Sequence, residues 1–184
     1  MMKSLLEEVR RVEQEAELLI RPEELEAALD LMATEISHRL GDTTPIILCI
    51  MTGGLVTCGK LLTRLHFPLQ LDYLHVSRYR NQTAGSDDIA WLGKRPEHLA
   101  GRHILIVDDI LDEGYTMQAI VAFCRQAGAA SVSTSVLLDK ASARKTAITP
   151  DFCAFTIPDR YVFGYGMDYK SFLRNAAGIY AVSR

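Results

Sequence analysis

Three aspartates within the stretch His103–Met117 have the type and spacing to do chemistry. Asp108 and Asp109 follow an uninterrupted apolar run, Ile104–Val107, which is typical of a strand buried on both faces. Asp112 stands one turn further on. Adjacent carboxylates at the carboxyl end of such a strand can bind the vicinal hydroxyls of a ribose or a hydrated Mg²⁺ ion. The alternative is an ordinary polar strand end.

The residues after these aspartates predict a phosphate site. Gly114 and Thr116 open the segment Tyr115–Gln126, whose apolar residues recur at helical spacing. A strand that breaks into a tight loop and then a helix directs backbone N–H groups at whatever lies in the crevice. This pattern therefore favours an anion, and a phosphate in particular.

A second unit of the same kind lies earlier in the chain. Gly53 and Gly54 separate a predicted strand, Ile46–Met51, from a predicted helix, Leu55–Leu65. A glycine pair lets an anion approach the backbone closely, although such a turn alone is more often structural. Together the two loops predict a substrate with two phosphate ends.

The elements that position these loops predict an α/β fold with a mostly parallel central sheet and helices on both faces. Amphipathic helices are predicted at Ser4–Leu19 and from Pro22 to Gly41, and a short one from Tyr169. The other predicted strands are Pro68–Ser77, Ser131–Leu138, Asp151–Thr156 and Ile179–Val182. Tyr161–Tyr165 is predicted to be a short strand or an extended loop.

Composition bounds the class of protein. The 184 residues fit one domain, and the net charge of −3 gives no basic footprint for nucleic acid. No apolar run is long enough to span a membrane, and the charged N-terminus is not that of a signal peptide. We therefore expect a cytoplasmic protein without membrane or nucleic-acid partners.

Its scattered histidines disfavour a transition-metal site, and its cysteines are predicted to be reduced core residues: Cys49, Cys58, Cys124 and Cys153.

The polar stretch from Ser77 to about Ala100 lacks periodicity. A long unstructured segment inside a compact domain is either disordered or a working lid. Ser77 and Tyr79 at its base favour a lid that is mobile without substrate and ordered with it. A plain surface loop or hairpin is the alternative.

The aspartate-rich pattern resembles the phosphoribosyl-pyrophosphate motif of the type I phosphoribosyltransferases. The tail narrows the resemblance to the hypoxanthine-guanine phosphoribosyltransferases, through Ile157–Val162, Gly164–Tyr169 and Phe172–Arg174. The resemblance extends from about Pro45 to the C-terminus. It implies a single phosphoribosyltransferase domain with a core at about 42–150, a small hood from about 1–41 and 151–184, and the lid at about 77–100.

The resemblance also implies roles for the residues on the base side of the site. Asp112 would be the general base beside the imidazole-side nitrogen of the purine. Lys140 would donate to the exocyclic oxygen of a 6-oxopurine and disfavour the amine of adenine. Tyr161 would stack on the purine, and the Val162 backbone would bind its pyrimidine edge. The alternatives are a loop-stabilising aspartate, a solvated lysine and simple packing of the tyrosine.

The resemblance assigns the remaining positions to the sugar, the phosphates and Mg²⁺, the implied cofactor. Asp108 and Asp109 would hold ribose hydroxyls and metal-bound waters, while Asp168 would contact the metal. The predicted phosphate ligands are Glu113, Gly114, Tyr115 and Thr116 for the terminal phosphate, and Gly53, Gly54 and Arg174 for the pyrophosphate. Ser77 and Tyr79 resemble the closing-loop pair of the family.

Three positions depart from the family pattern. Glu113 stands where Thr or Ser is common, so its carboxylate must point away from the phosphate cradle. Tyr115 replaces a residue that is often basic, and Thr52 stands where many relatives have lysine. These departures bear on phosphate affinity more than on reaction type.

The resemblance implies a purine-salvage enzyme. It would join hypoxanthine or guanine to phosphoribosyl pyrophosphate, giving the nucleoside monophosphate and pyrophosphate. A relative that prefers xanthine and a non-catalytic regulator that senses nucleotide on the same fold are the alternatives. Asp112 and Lys140, both present, favour the enzyme. A homodimer or homotetramer is expected.

Overall fold

Residues 2–78 and 89–183, the part of the chain that this computed structural model describes, contain four α-helices and nine strands. The helices are α1 (Met2–Glu15), α2 (Pro22–Leu40), α3 (Leu55–Leu62) and α4 (Tyr115–Gln126). The first strands are β1 (Glu17–Ile20), β2 (Ile46–Met51), β3 (Gln70–Arg78), β4 (Ile89–Trp91) and β5 (His103–Leu111). The others are β6 (Ser131–Asp139), β7 (Phe152–Thr156), β8 (Val162–Phe163) and β9 (Ile179–Ala181).

The larger of two sheets has six strands in the order β4-β3-β2-β5-β6-β7. Every neighbouring pair is parallel except β3 with β4, which confirms the predicted, mostly parallel sheet. β2 and β5 pair at its centre, where their apolar runs are buried on both faces as parallel strands require.

Helices cover both faces of this sheet, as predicted. Cys49 and Leu105 face a core that they share with residues of α2 and α3, such as Leu29. The alternate residues Leu48 and Ile106 face the other core, which α4 completes. This alternation follows from the period of two along a strand.

The smaller sheet has the order β1-β9-β8 and is antiparallel. It joins the N- and C-terminal segments, from which the hood is predicted, and α1 packs on it through Val9. The predicted range of the hood also included α2 and β7. In the structure, α2 contributes to the core of the larger sheet and β7 is an edge strand of that sheet.

Two predicted helices were wrong in extent or kind. The helix predicted at Ser4–Leu19 ends at Glu15, because residues 17–20 pair with β9 and bury Ile20, so tertiary pairing overrides helical spacing. The helix predicted from Tyr169 is instead a tight turn closed by a bridge between Tyr169 and Phe172. Its central residues, 170 and 171, have φ of 50° and 72°, which no right-handed helix allows.

The predicted lid falls partly outside the described residues. Residues 89–91, within its range, form β4 and pair antiparallel with β3. Tyr79 and the rest of 79–88 lie outside the described part, as does the side chain of Ser77. The lid therefore stays a prediction.

The four cysteines are free thiols, and Cys49, Cys58 and Cys124 are buried as predicted. The prediction that Cys153 is a core residue was wrong, because it is exposed on the edge strand β7. Within residues 2–78 and 89–183, none of the helices has the length and apolar character needed to cross a membrane.

One carboxylate connects the C-terminal tail to two helices of the larger core. Glu26 of α2 accepts hydrogen bonds from Lys60 of α3 at 2.7 Å, from Arg64 at 2.6 Å and from the Tyr165 hydroxyl at 2.8 Å. The hydrogen bond from Lys60, with those from Arg64 and Tyr165, lowers the pKa of Glu26 to about 2. Because the folded-state pKa lies below the ordinary value of 4.5, the stabilisation is full above about pH 4.5 and is lost as the pH falls towards 2.

We expect Glu26→Gln to lower the free energy of unfolding at pH 7 by about 1 kcal/mol, since the partly exposed carboxylate is screened by solvent. Urea denaturation from pH 7 down to pH 3 measures this free energy. The difference in free energy of unfolding between wild type and Glu26→Gln should become smaller as the pH falls below 4.5. Glu35→Gln, at an exposed position of the same helix, is the control. A difference in free energy of unfolding that stays constant with pH would contradict an ionic origin of the stabilisation by Glu26.

Candidate active site

A cavity of about 230 Å³ lies at the carboxyl ends of β2 and β5. β5 continues to Leu111, so Asp108 and Asp109 lie within the strand and not after it. Predicted site residues from three separate segments line the cavity. They are Gly53, Asp108, Asp109, Asp112, Glu113, Gly114, Tyr115, Thr116 and Arg174, each of them a predicted site residue.

The two adjacent aspartates are the most desolvated charges of this cavity. Asp109 is only 8% exposed, and its Oδ1 accepts a hydrogen bond from the Ile110 N–H at 2.8 Å. Asp108 Oδ1 accepts one from the Asp109 N–H at 2.9 Å. Burial, reinforced by the charge of Asp109, raises the pKa of Asp108 well above its ordinary value. Burial also raises the pKa of Asp109, although its hydrogen bonds and Arg174 oppose the shift.

The glycine turn after β2 packs directly against this carboxylate pair. A Cβ atom on Gly53 would lie 2.0 Å from Asp109 Oδ2, and one on Gly54 would lie 2.8 Å from the Val107 carbonyl oxygen. Both positions therefore require glycine for the close approach of β2 and β5. Gly53 lines the cavity, whereas Gly54 is the N-cap of α3. The peptide bond between Met51 and Thr52, just before the turn, is cis.

The N-terminus of α4 faces the same cavity through Tyr115 and Thr116. Gly114 is its N-cap, with φ of +95°, a conformation that favours glycine. The first-turn N–H groups and the positive end of the helix dipole make this end of the helix suited to an anion.

The carboxylate of Glu113 is paired with a cation that sequence reasoning missed. Its side chain forms an ion pair with Lys145, and its carbonyl accepts from the Lys145 N–H at 3.0 Å. The Thr146 hydroxyl donates to the same carbonyl at 3.3 Å. Lys145 thus offsets the negative charge that Glu113 brings to the loop.

Arg144 supports the loop from the other side and was also missed. It forms an ion pair with Asp139 at the end of β6, and its Nη2 lies 3.5 Å from the Leu111 carbonyl oxygen. Its Cδ would be 3.0 Å from a Cβ on Gly114. No sequence signal separates this basic pair, Arg144 and Lys145, from solvated surface residues.

Lys140 lies beside Asp112 in the structure. The lysine is only 7% exposed, and its Nζ lies 3.5 Å from Asp112 Oδ2 and 3.5 Å from Asp159 Oδ1. Its backbone N–H donates to the Leu111 carbonyl at 3.0 Å. A buried cation is therefore fixed next to a half-exposed carboxylate, which can accept a proton from a bound heterocycle.

Arg174 enters the cavity from the C-terminal tail. Its Nη1 donates to the Gly166 carbonyl at 2.6 Å, and its Nη2 pairs with Asp168 Oδ1 at 2.7 Å. Asp168 Oδ2 accepts the Ser171 N–H at 2.7 Å, so both oxygens of Asp168 are engaged within the tail. Asp168 does not line the cavity.

Tyr161 and Val162 lie on the tail rather than in the cavity wall. Tyr161 is 55% exposed and packs edge to face against Tyr169, with ring centroids 5.6 Å apart and planes at 76°. Val162 is buried in β8. The contact between Lys140 and Asp159 brings the segment that leads to Tyr161 towards the cavity.

Comparisons with known proteins agree with this geometry. Residues 15–171 match the family model described as phosphoribosyl transferase domain. The chain is 34% identical to the hypoxanthine-guanine phosphoribosyltransferase of Bacillus subtilis, over 86% of this chain and 88% of the relative. It is 30% identical to the hypoxanthine-guanine-xanthine phosphoribosyltransferase of Tritrichomonas foetus, over 86% of each. The crystal structure of a hypoxanthine-guanine phosphoribosyltransferase from Bacillus anthracis is similar with a TM-score of 0.86 and 25% identity, over 91% of this chain and 98% of that one.

Gly114→Ala should lower the free energy of unfolding by about 2 kcal/mol, because the left-handed conformation strains an alanine and its Cβ would lie 2.1 Å from Thr146 Oγ1. Gly59→Ala is the matched control. No atom lies within 4 Å of a Cβ at that helical position, so the substitution should raise stability by about 0.5–1 kcal/mol. Urea denaturation measures both, and wild-type stability of Gly114→Ala would contradict the tight loop.

Proposed function

Because the chain belongs to the phosphoribosyl transferase domain family, we propose that it is a purine-salvage enzyme acting on hypoxanthine and guanine. It transfers the phosphoribosyl group of phosphoribosyl pyrophosphate to the base, giving IMP or GMP and pyrophosphate. One observation carries this proposal. A buried lysine and a carboxylate, Lys140 and Asp112, lie 3.5 Å apart beside a cavity that is lined by the N-terminal residues of α4 and by an aspartate pair.

The sugar and phosphates occupy the cavity in this proposal. Asp108 and Asp109 accept hydrogen bonds from the ribose hydroxyls. The N-terminus of α4, with Glu113 to Thr116 around it, binds the terminal phosphate through backbone N–H groups. The Gly53–Gly54 turn and Arg174 bind the pyrophosphate, where a guanidinium matches phosphate geometry.

The donor set fits a water-clad Mg²⁺. The pKa values of Asp108 and Asp109 are raised by burial, so a nearby cation would favour their charged forms. In the described part of the chain, no group of three or more His, Cys, Asp or Glu forms a ready protein cage. Mg²⁺ commonly keeps several waters and shares a few carboxylates with substrate phosphates, which suits such a site. When bound, it neutralises charge on the leaving pyrophosphate.

Asp168 is the third proposed metal contact. Since both its oxygens are engaged by Arg174 and Ser171, this role requires the ion pair with Arg174 to loosen when substrate binds. The pair would then separate into a cation for pyrophosphate and a carboxylate for the metal.

The base lies against Asp112, Lys140 and the tail. Lys140 donates to the 6-oxo group, Tyr161 stacks on the ring and the Val162 backbone binds the pyrimidine edge. Asp112 accepts the proton that leaves the imidazole side as the new glycosidic bond forms. The Lys140 contact with Asp112 and Asp159 keeps the lysine side chain in place before the base arrives.

The sugar has oxocarbenium character in the transition state, so water must be excluded from it. We propose that the segment 77–100, with Ser77 and Tyr79 at its base, closes over the site to do this. A homodimer or homotetramer is proposed too. It is supported by the neighbouring exposed residues Leu71 and Tyr73 on β3.

Purified protein should consume hypoxanthine and guanine with phosphoribosyl pyrophosphate and Mg²⁺, and chelator should abolish turnover until Mg²⁺ is restored. Product formation monitored by ultraviolet absorbance, with xanthine and adenine in parallel, checks both statements. Full turnover in excess chelator would contradict the proposed requirement for Mg²⁺. Preferred use of xanthine would replace the substrate assignment, and no turnover with any purine would overturn the proposed function.

Asp112→Asn should lower kcat by about 10²–10⁴-fold, because the amide keeps the shape but cannot accept a proton. Affinity for phosphoribosyl pyrophosphate should change far less, since its phosphates are held by backbone groups and Arg174. Steady-state kinetics with both substrates measure this. Loss of phosphoribosyl pyrophosphate binding with kcat retained would place Asp112 on the sugar side.

Lys140→Ala provides the contrast to this variant. It should weaken the preference for hypoxanthine over adenine by about ten- to hundredfold, the equivalent of ~1.5–3 kcal/mol for a hydrogen bond to a charged group. The sugar-phosphate site should keep its affinity.

A further inference from the structure

The N-terminal helix α1 is hydrogen-bonded to the tail that carries Tyr161. Glu8 of α1 accepts a hydrogen bond from the Tyr169 hydroxyl at 2.6 Å and one from Lys170 Nζ at 2.6 Å. The hydrogen bond from Lys170, with that from Tyr169, lowers the pKa of Glu8, and the hydrogen bond to Glu8 raises the pKa of Tyr169. The carboxylate therefore fixes the position of the Tyr169 ring across a long separation in sequence.

Tyr169 in turn contacts Tyr161. The edge of one ring packs on the other with centroids 5.6 Å apart, a favoured arrangement for aromatic pairs. Tyr161 is 55% exposed, so its orientation depends on the few groups that support it. Lys170 Nζ, which also binds Glu8, lies 5.6 Å from the centroid of the Tyr169 ring.

Apolar packing keeps α1 in place for this contact. Val9, next to Glu8, is 6% exposed and belongs to a small core with Phe163 and Leu173. Phe163 lies in β8, two residues after Tyr161. Leu173 directly precedes Arg174. The helix is therefore part of the structure that supports the tail, and not a separate appendage.

We propose that α1 positions the base-stacking platform, with Glu8 acting through Tyr169 to orient Tyr161. This inference rests on the proposed function, because it takes Tyr161 as the residue that stacks on the purine. Glu8 and Tyr169 are positioning residues, since Glu8 reaches Tyr161 only through the Tyr169 ring. The pyrophosphate side has side-chain contacts of its own. Arg174 is held by Asp168 and Gly166.

The proposal predicts a selective change in binding. A correctly oriented ring stacks on the base in both the ground state and the transition state, so losing the orientation raises the KM for the base and leaves kcat nearly unchanged. We expect Tyr169→Phe and Glu8→Gln each to raise the KM for hypoxanthine by about three- to tenfold, since base–aromatic stacking depends on ring placement. The KM for phosphoribosyl pyrophosphate should stay at the wild-type value.

The double variant and a matched control sharpen the test. Because Glu8 and Tyr169 act through one hydrogen bond, Glu8→Gln with Tyr169→Phe should raise the KM no further than the larger single effect. Glu7→Gln makes the same chemical change at a neighbouring, exposed position and should leave both KM values unchanged. A purely structural role would lower thermal stability and alter both substrates together, and that result would overturn the proposal.

A second readout does not need turnover. Carbon-13 relaxation of the Tyr161 ring, assigned with a Tyr161→Phe variant, should show greater mobility in Glu8→Gln than in Glu7→Gln or wild type. Unchanged mobility with unchanged base KM would overturn the positioning role while purine turnover by wild type upholds the enzyme. Greater mobility in a protein that converts no purine would retain the positioning role and overturn the proposed function.

Discussion

Two adjacent carboxylates buried near the end of the central strand are the constraint on which the rest of the site depends. Removing Asp108 and Asp109 from water is costly unless other groups compensate, and burial raises both of their pKa values. Positive potential reaches them from Arg174 and from the N-terminus of α4 across the cavity. The lack of a Cβ at Gly53 is what lets the neighbouring turn approach Asp109. The strand, the turn, the helix and the tail are therefore placed by one electrostatic requirement.

The tail reaches this site through buried apolar packing as well as charged contacts, since Val162, Tyr165 and Met167 belong to the larger core. Lys140 with Asp159, and Glu26 with Tyr165, connect the tail to the larger core. The Arg174 side chain then projects from the tail into the cavity. The charged contacts are directional and individually weak, so the Arg174 side chain can adjust when a charged substrate binds while the apolar packing keeps the tail in place. The substrate itself can supply part of the charge balance.

The sequence predicted the elements whose signals are local. Ile104–Val107 and the following loop were recognisable because burial, glycine and helical spacing are all written in consecutive residues. The helix predicted at Ser4–Leu19 was too long because the partner of β1 is β9, at the other end of the chain. The roles of Lys145 and Glu8 were hidden for a similar reason, because their partners Glu113 and Lys170 are distant in sequence. Arg144 pairs with Asp139 only five residues away, but that spacing matches no regular element.

The edges of the larger sheet limit how copies of the protein can meet. Among the residues that the structure describes, β4 has three and β7 has five, so each of these outer stretches offers few backbone N–H and C=O groups to a strand from another molecule. Arg39, whose guanidinium lies 5.4 Å from the centroid of the Phe152 ring, adds a charge beside β7. Short or charged edges disfavour the addition of strands that leads to domain swapping and fibrils. Edges of this kind leave side-chain surfaces as the places where a second copy could pack, and such surfaces can form a closed assembly instead of an open-ended one.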